Sequence, residues 1–593
     1  MLKYRLITLS LIIMSFFVCA FAQKTDDQKD ERQKEQNALL EQLAKDADAL
    51  RLPENRAIVL AKLGDSFWAT DEKRARQFFQ DSVTAIVAAQ IDAESERKQQ
   101  QQGTLYGLIY GTAPRQEILM MIANRDAEFA LEAFYKSRPS KIAQALADAG
   151  NNAEKKDSDS QQYALNETNF EQSLINKIGE QSPEKALGLL RKSLAKGVTY
   201  EAINLIEKLK TKDLNLANQF AAEVAEKLAA ADFEKDANAA SLASSFVTEY
   251  GKKPEPDQKI IVKVDEKLLR NLTSKIAKNI LKSEDGGYEV EYLLPILEKY
   301  APESVAALRQ KKAKYDKDNK REDYDSYEKL MEGNPSPEKL LSEAEKYPEE
   351  MRNQIYYAAA EKTANNGNVE AAKKLIQSRL PENDRENYLT QINYTLIQQA
   401  MTAEKYDEAA MLINQIPAES SRFYFFIQLA TTVYQKNPAE NKNKSLEIIN
   451  QARNLIPQPV ETLEDIALVT QLATTVSEIE PEQAFPMLEN LTYQLNEYIE
   501  ASVVIGKYRN DGTTRKGEVL VNSYGSISGL NSLSQILATL RKKDFARAAA
   551  FVNGFQRLEA RVNLEMQLIE PPATSVDAPA VSSATITTNK VQD

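Results

Sequence analysis

Residues 367–376 read GNVEAAKKLI, and the same pattern returns as YDEAAMLI at 406–413, NPAENKNKSLEII at 437–449 and EPEQAFPML at 480–488. In each stretch a turn signal precedes a small residue, and two large apolar residues follow three and four positions later. The small residues, which we call anchors, are 37, 36 and 39 residues apart: Ala372, Ala409, Ser445 and Ala484. This period is typical of stacked helical hairpins, which bury their apolar faces only against their neighbours. The sequence therefore predicts an all-α solenoid of antiparallel helical hairpins.

A hairpin near the start of the chain carries a family resemblance. Leu63-Gly64 followed by Phe67 matches an L-G-x-x-Y segment, and Ala75 with Phe79 matches A-x-x-x-F. These residues resemble the tetratricopeptide repeat. Further anchors of the same kind are Ala130, Ala186, Ala202, Ala217 and Ala548. The resemblance implies a right-handed superhelix of helix pairs, and such families mostly present a concave surface to a peptide or protein.

Most repeats depart from that family's pattern. Ile397 and Val433 stand where a glycine would precede Ala409 and Ser445. The period is not a steady one of about 34 residues, and the anchors at 75, 130 and 186 are 55 and 56 residues apart. The resemblance therefore covers the type of hairpin, about two-thirds of the chain, and fits other α-solenoids equally well.

Composition suggests two repeat blocks. Helical patterns fill 38–310 and 336–508, which we expect to form an N-terminal and a C-terminal helical-repeat block. The segment 311–335 between them is charged and ends at a Gly-Asn-Pro turn, so we expect an exposed junction there. A terminal helical hairpin is predicted at 530–570.

Three other segments break the helical rule. The segment 509–529 contains four glycines around Glu518-Val519-Leu520-Val521, which favours either a short β-hairpin or a long loop inserted between repeats. An inserted loop in a repeat protein is either specialised for function or a tolerated surface feature, and both readings stay open. The polar segment 23–37 and the Pro-, Ala-, Ser- and Thr-rich tail 571–593 are predicted to be disordered.

The first 22 residues have the pattern of a secretory signal peptide. Lys3 and Arg5 precede a short apolar run at 6–18, and Ala20-Phe21-Ala22 is a small-x-small cleavage site before Gln23. The apolar run is shorter than the about 20 residues of a bilayer span. We therefore expect an exported protein, periplasmic or extracellular, without stable membrane insertion after cleavage; the alternative is an uncleaved anchor.

The absence of two residue types excludes whole classes of chemistry. The chain has no histidine, and its one cysteine, Cys19, lies in the signal segment. Nucleophiles activated by histidine, Cys/His zinc sites and His-ligated haem are therefore excluded from the mature chain. We also expect little change of stability between about pH 6 and 8, because no side chain with an unperturbed pKa in that range is present. Catalysis by carboxylates, Lys or Tyr survives this argument.

The charge balance argues against a nucleic-acid partner. Without residues 1–22, which contain two of the 75 basic residues, the chain has 73 basic and 87 acidic residues and a net charge of −14. Binding to nucleic acid depends on clustered Lys and Arg side chains that neutralise phosphates. We therefore expect no nucleic-acid binding.

Two matches to a catalytic motif have a simpler explanation. The sequence S-x-x-K occurs at 182–185 and at 336–339, as in penicillin-recognising enzymes. In both copies Ser is followed by Pro and Glu, which suits a helix start with Ser as the N-cap. No catalytic, cofactor-binding or metal-binding residue is assigned, and the partner-binding residues remain unknown at this stage.

Aromatic side chains are candidates for a groove. The candidates to line a ligand groove are Tyr356, Tyr357, the run Phe423-Tyr424-Phe425-Phe426 and the single tryptophan, Trp68. We expect the phenylalanines to be core residues, whereas for the tyrosines the core and the groove stay open equally. Adjacent aromatics on one helix cannot all face the same way.

Three functional hypotheses follow. The leading one is an exported, non-catalytic helical-repeat scaffold that binds a protein or peptide in the cell envelope. The alternative is a module that binds envelope glycans or processes them with carboxylates. The third is a structural spacer. Exposed coplanar tyrosines beside a pair of acids would favour the glycan hypothesis, whereas a charge-patterned surface would favour a protein partner.

Overall fold

The computed structural model describes residues 31–99, 106–151, 158–252, 260–283, 287–318, 321–509, 514–521 and 528–569. Helices contain 82% of these residues. The strands within the described ranges form a single two-stranded antiparallel ribbon. The prediction of an all-α fold of antiparallel helical hairpins with one short non-helical insertion is therefore confirmed, and the chain is a degenerate helical-repeat protein.

The first helices, in chain order, are α1 (31–49), α2 (Pro53–Phe67), α3 (Glu72–Gln99), α4 (Tyr106–Ala123), α5 (Ala127–Lys136), α6 (Ser140–Asn151), α7 (Ser158–Gln181), α8 (Pro183–Ser193), α9 (Tyr200–Lys212), α10 (Leu214–Ala230), α11 (Ala237–Tyr250), α12 (Glu266–Lys282), α13 (Gly287–Tyr300) and α14 (Val305–Asp318). They continue as α15 (Arg321–Glu332), α16 (Pro337–Glu343), α17 (Glu349–Asn365), α18 (Val369–Arg379), α19 (Glu382–Thr402), α20 (Tyr406–Asn414), α21 (Glu419–Lys436), α22 (Pro438–Arg453), α23 (Leu463–Ile479), α24 (Pro481–Arg509), α25 (Ser528–Leu540), α26 (Phe545–Asn553) and α27 (Leu558–Leu568). The ribbon pairs β1 (Thr514–Arg515) with β2 (Glu518–Val519).

The chain divides into two compact units. The terminal unit contains the residues up to Pro114 together with those from Thr492 onward. The central unit runs from Arg115 to Leu491. Both ends of the described chain therefore belong to one unit, and the repeats between them form the other.

Helices of the central unit lie in two layers. Most helices here pack against the next one in the chain, as α7 packs on α8 and α9 on α10. Several also pack against the helix two places on, as α7 does on α9, α11 on α13, and α10 on α12. The helices α7, α9, α11 and α13 therefore form one layer, which we call the odd layer, and α8, α10, α12 and α14 form the other.

The anchors are buried throughout. Each has 0% of its surface exposed: Ala75, Ala130, Ala186, Ala202, Ala217, Ala372, Ala409, Ser445, Ala484 and Ala548. The apolar residue four positions after each of the four quoted anchors is buried too, whereas the residue three positions after is only partly buried in three of the four. Residues four positions apart lie on the same face of a helix. Each anchor and the apolar residue four positions after it therefore form one packing surface.

The hairpin of α2 and α3 explains the glycine of the tetratricopeptide-like segment. Gly64 in α2 lies against Phe79 in α3, and a Cβ at position 64 would be 2.5 Å from Phe79 Cε1. It would also be 3.1 Å from the carbonyl oxygen of Ala75. Glycine therefore permits the two helices to approach at the point where the anchor and the aromatic side chain of the next helix meet.

Gly64→Ala is expected to lower the free energy of unfolding by about 1–3 kcal/mol, because the added methyl group overpacks the contact with Phe79. Gly188→Ala is the matched control, since no atom lies within 4 Å of a Cβ at that helical position. That variant should gain up to about 1 kcal/mol from helix propensity. Urea unfolding measures both changes, and an equal effect of the two substitutions would contradict the close contact at Gly64.

The segment 311–335 lies inside the central unit, and most of it is helical. Its residues belong to α14 and α15. Leu308 and Leu330 are buried while the charged residues around them face outward, and Lys312 pairs with Asp316 at a distance of 2.6 Å along α14. The high charge of the segment therefore reflects the solvated faces of two helices, where we expected an exposed junction between blocks.

Helix α1 already includes residue 31, so part of the segment 23–37 is helical where we expected disorder up to 37. This part of α1 is held by hydrogen bonds to residues near the other end of the chain. Gln36 Nε2 donates to the carbonyl oxygen of Leu568 at 2.9 Å, and Arg32 Nη2 donates to that of Lys542 at 2.6 Å. The signal segment 1–22, residues 23–30 and the tail 571–593 lie outside the described residues.

The C-terminal region contains one helix more than the hairpin expected at 530–570. Three helices, α25 to α27, span it. Asp544 caps α26 by accepting from the backbone N–H of Arg547 at 2.9 Å, and Gly554 follows the last residue of α26. Within 509–529 the described residues 514–521 contain the β-ribbon, in agreement with the β-hairpin alternative.

Candidate functional site

The two S-x-x-K matches are helix starts. Ser336 is the N-cap of α16, and its Oγ accepts from the backbone N–H of Lys339 at 3.3 Å. Ser182 holds the N-cap position of α8, with Pro183 as the first helical residue. Within the described ranges no group of three or more Asp, Glu, Cys or His could hold a metal ion, and no helix is long and apolar enough to cross a membrane.

Three exposed tyrosines lie on the odd layer of the central unit. Tyr200 is the first residue of α9, and Tyr288 and Tyr292 are one turn apart on α13. Their exposed fractions are 50%, 57% and 47%. The rings of Tyr288 and Tyr292 are 6.1 Å apart between centroids, with planes inclined at 62° in an edge-to-face pair. With Glu289, we call these residues the tyrosine cluster.

Packing of α13 determines which way its tyrosines point. Val290, Leu293 and Leu297 are buried on one side of the helix, so Tyr288 and Tyr292 are left on the opposite, solvent-facing side. The helix begins at Gly287, where a Cβ would lie 2.5 Å from Cγ of Tyr315 in α14. Glycine therefore brings the first turn of α13 close to α14.

A fixed loop presents Tyr200. Gly197 has φ +148°, which favours glycine. Gln172 of α7 holds this loop, because its Nε2 donates to the carbonyl oxygen of Gly197 at 3.0 Å and its Oε1 accepts from the Thr199 hydroxyl at 2.8 Å. The Tyr200 hydroxyl then lies 3.1 Å from the Ser245 hydroxyl on α11. The cluster thus extends over three successive helices of the odd layer, α9, α11 and α13.

Glu289 is a half-buried carboxylate to which the described part of the chain brings no cation. Burial raises its pKa, and among the described residues no group donates a hydrogen bond to it or forms an ion pair with it. The pKa of Tyr292 is also raised, first by burial and then by the nearby Glu289 carboxylate and the Tyr288 and Tyr200 hydroxyls. These four side chains therefore share one electronegative environment.

A buried ion network lies beside the loop that carries Tyr200. Arg115 is fully buried, and its Nη1 and Nη2 donate to Glu167 Oε2 and Oε1 at 3.0 and 3.1 Å. Arg138 Nε donates to Glu167 Oε1 at 2.9 Å, and Lys196 Nζ donates to Glu171 Oε1 at 2.7 Å. Each carboxylate oxygen of Glu167 and Glu171 meets a cation, so the network connects α4, α5, α7 and the loop after α8.

A second set of polar contacts, in the terminal unit, joins the β-ribbon to the start of α2. The α2 N-terminus has no capping side chain of its own, since Leu52 is its N-cap. Glu518 of β2 instead holds the two residues just before the helix, because it accepts from the backbone N–H groups of Arg51 at 2.6 Å and Leu52 at 3.0 Å. Asn55 Nδ2 donates to the Val519 carbonyl oxygen at 2.9 Å, and its Oδ1 accepts from the Val521 N–H at 2.7 Å. The segment 509–529 therefore contributes a structural clasp.

Glu565 in α27 titrates near neutral pH. Burial, and then the nearby Asp46 carboxylate, raise its pKa to about 7, opposed by Arg561, whose Nε is 3.7 Å from Glu565 Oε1. The folded state therefore retains a proton that the unfolded chain has lost. Stability is highest below the ordinary carboxylate pKa and falls as the pH rises through about 7. This differs from the flat profile expected from the absence of histidine.

Glu565→Gln is expected to remove this dependence on pH. A shift of the Glu565 pKa from 4.5 to about 7 corresponds to roughly 3 kcal/mol. At pH 8 the variant should therefore be more stable than the natural protein by this amount, and at pH 4.5 equally stable. Urea unfolding at both pH values measures the difference, with the exposed Glu497→Gln as control. The same difference at both pH values would contradict the titration of Glu565.

The aromatics singled out from the sequence lie elsewhere. Phe423 and Phe426 are core residues with 0% and 1% exposure, as predicted, whereas Phe425 is only partly buried. Tyr356 is buried and donates to Glu345, and Tyr357 stacks on Tyr388 with centroids 4.9 Å apart. Sequence reasoning missed the tyrosine cluster. One signal for it was available, because Tyr288 and Tyr292 share a helix face opposite the apolar positions of α13.

No family model matches the chain, and no curated protein matches it. Among solved structures it is similar to one described as "Circular tandem repeat protein with novel repeat topology and enhanced subunit contact surfaces". The identity is 13%, the match covers 88% of this chain and 98% of that chain, and the TM-score is 0.16. The fold described above rests on the helices and their packing, and not on this likeness.

Proposed function

We propose that the protein is an exported helical-repeat scaffold that binds a protein or peptide partner in the cell envelope through the tyrosine cluster. The observation that carries the proposal is the exposure of Tyr200 on α9 and of Tyr288 and Tyr292 on α13, two helices of the odd layer. Tyrosine is enriched at protein interfaces, because its ring supplies apolar area while its hydroxyl forms hydrogen bonds. A contiguous exposed aromatic surface is therefore a candidate interaction site.

The ring geometry favours a protein partner over a glycan. The planes of Tyr288 and Tyr292 are inclined at 62°, so the two rings do not form a flat platform on which a sugar could stack. Beside them lies Glu289, a single half-buried carboxylate with a raised pKa. Glycan processing by two carboxylates would need a second acid at a defined separation. A structural spacer would have no reason to keep the three rings exposed.

The export part of the proposal rests on the signal pattern of residues 1–22. Mass spectrometry of the protein recovered from outside the cytoplasm should find Gln23 as the first residue. An exported chain that still contains residues 6–18, or that carries a lipid on Cys19, would contradict cleavage at this site.

Site-specific photo-crosslinking in the producing cells tests the binding surface. A photoreactive phenylalanine analogue replaces Tyr292 in one strain and Tyr424 in another; Tyr424 is 54% exposed on α21 of the same unit. We expect a discrete cross-linked species from position 292 that is absent from position 424, and its partner is then identified and purified. The same species from both positions, or none from 292, would contradict the assigned surface.

A further inference from the structure

The tyrosine cluster combines two features that each attract a positive charge. The face of an aromatic ring is electronegative and attracts a cation that lies within about 6 Å of its centroid. Glu289 adds a full negative charge between Tyr288 and Tyr292 in the sequence, on the helix that carries both rings. The cluster as described contains no positive charge that would balance these groups.

Leaving this carboxylate half-buried costs free energy. Burial of an unpaired charge is unfavourable, and a partner of opposite charge offsets the cost. Two buried carboxylates of the central unit have such partners, since Glu167 and Glu171 pair with Arg115, Arg138 and Lys196. Glu289 differs from them, because the described residues offer it no cation.

We infer that the tyrosine cluster receives a lysine or arginine side chain of the bound partner, which the rings of Tyr288 and Tyr292 and the Glu289 carboxylate hold. This inference rests on the proposed function and specifies the chemistry of the partner. A metal ion does not fit, because calcium takes six to eight oxygen ligands and the cluster offers one carboxylate. The net charge of the chain, −12, also favours a basic partner during approach.

The length of the cluster suits an extended peptide. Tyr200 and Ser245 continue the surface from α13 across α11 to α9, joined by the 3.1 Å contact between their hydroxyls. These hydroxyls donate and accept hydrogen bonds, so they suit the backbone of a peptide whose basic side chain lies against the exposed ring faces of α13. The basic side chain provides the specificity, and the hydroxyls position the peptide.

Fluorine NMR of the full-length mature protein tests the inference directly. The protein carries 3-fluorotyrosine, and the signals of Tyr288 and Tyr292 are assigned from the Tyr288→Phe and Tyr292→Phe variants. The probes are a blocked Gly-Gly-Lys-Gly-Gly peptide and the same peptide with norleucine, which keeps the carbon chain and lacks the ammonium group. We expect saturable shifts of both signals with the lysine peptide, with a dissociation constant of about millimolar, and none with the norleucine peptide.

Substitution of Glu289 by glutamine tests whether its charge, and not the shape of the side chain, holds the lysine peptide. Glu289→Gln keeps the size of the side chain and should weaken binding of the lysine peptide roughly fivefold. Glu497→Gln is the matched control, because Glu497 also lies beside an exposed tyrosine, Tyr493, but accepts from its hydroxyl at 2.7 Å. That variant should bind as the natural protein does. Equal binding of the two peptides, or no effect of Glu289→Gln, would overturn the inference.

Other outcomes distinguish this inference from the proposed function. Shifts produced by a chitin hexasaccharide, and by neither peptide, would overturn the inference in favour of a glycan. If Tyr288→Ser abolishes binding of the cross-linked partner while Glu289→Gln does not, the partner-binding function stands and the basic side chain is excluded. If neither substitution affects that partner but the lysine peptide still binds, the proposed surface fails and the cation site remains.

Discussion

Replacing Glu167 with methionine is expected to lower the free energy of unfolding by about 3–5 kcal/mol, the cost of removing one partner from a buried ion pair. Arg115 is fully buried, and Glu167 is the only carboxylate with which it forms an ion pair in the described residues. The substitution leaves the Arg115 guanidinium without a counter-charge and also removes the partner of Arg138 Nε. Methionine has a similar volume, so the loss arises from charge and not from a cavity.

The matched control for Glu167→Met is Glu223→Met. Glu223 Oε1 lies 2.6 Å from Arg191 Nη2 in a pair whose side chains are 37% and 43% exposed. Exposed pairs contribute about 0–1 kcal/mol, because water screens them. The loss of unfolding free energy, measured by urea unfolding, should therefore be several-fold larger for Glu167→Met than for Glu223→Met. A loss below about 1 kcal/mol for Glu167→Met would contradict a structural role of the buried ion network.

Glu518→Ala is expected to cost about 3 kcal/mol in the terminal unit. The substitution leaves the buried N–H of Leu52 and the partly buried N–H of Arg51 without acceptors, and an unsatisfied buried donor costs about 1–3 kcal/mol. It also removes the contact of the carboxylate with Asn55 Nδ2 at 3.3 Å. Hydrogen exchange at the start of α2 should accelerate about a hundredfold, which corresponds to this loss.

The control for Glu518→Ala comes from the same ribbon. Lys516 Nζ lies 2.5 Å from Asp92 Oδ2, in a pair with side-chain exposures of 42% and 33%. Lys516→Ala removes this exposed contact and should change the exchange of α2 by less than about fivefold. Unchanged exchange in Glu518→Ala would show that the clasp does not hold the start of α2.

The features that the sequence predicts well are local. An anchor such as Ala409 and the large residue four positions later lie on one helix face, so their spacing alone predicts burial, and both are buried. Gly64 and Phe79 are 15 positions apart within a single hairpin, so the tetratricopeptide-like pattern could predict their contact. The repeat fold follows from contacts of this kind.

The candidate site depends on contacts that no local pattern encodes. Tyr200 and Tyr292 are 92 positions apart, and they meet only because α9, α11 and α13 lie in one layer. Glu518 accepts from Leu52 across 466 positions. The sequence does not show whether a cation lies beside a given carboxylate, so the lack of a cation at Glu289 among the residues that the structure describes could be recognised only from the folded chain.

Binding of the partner through the tyrosine cluster is tested by titrating the identified, purified partner with the natural protein and with the Tyr288→Ser/Tyr292→Ser double variant. We expect the double variant to bind at least about tenfold more weakly, because truncating an aromatic contact residue costs more than about 1 kcal/mol, while Tyr424→Ser binds as the natural protein does. Circular dichroism checks that all three proteins keep the same helix content. Equal affinity of the double variant and the natural protein would show that the tyrosine cluster does not bind the partner.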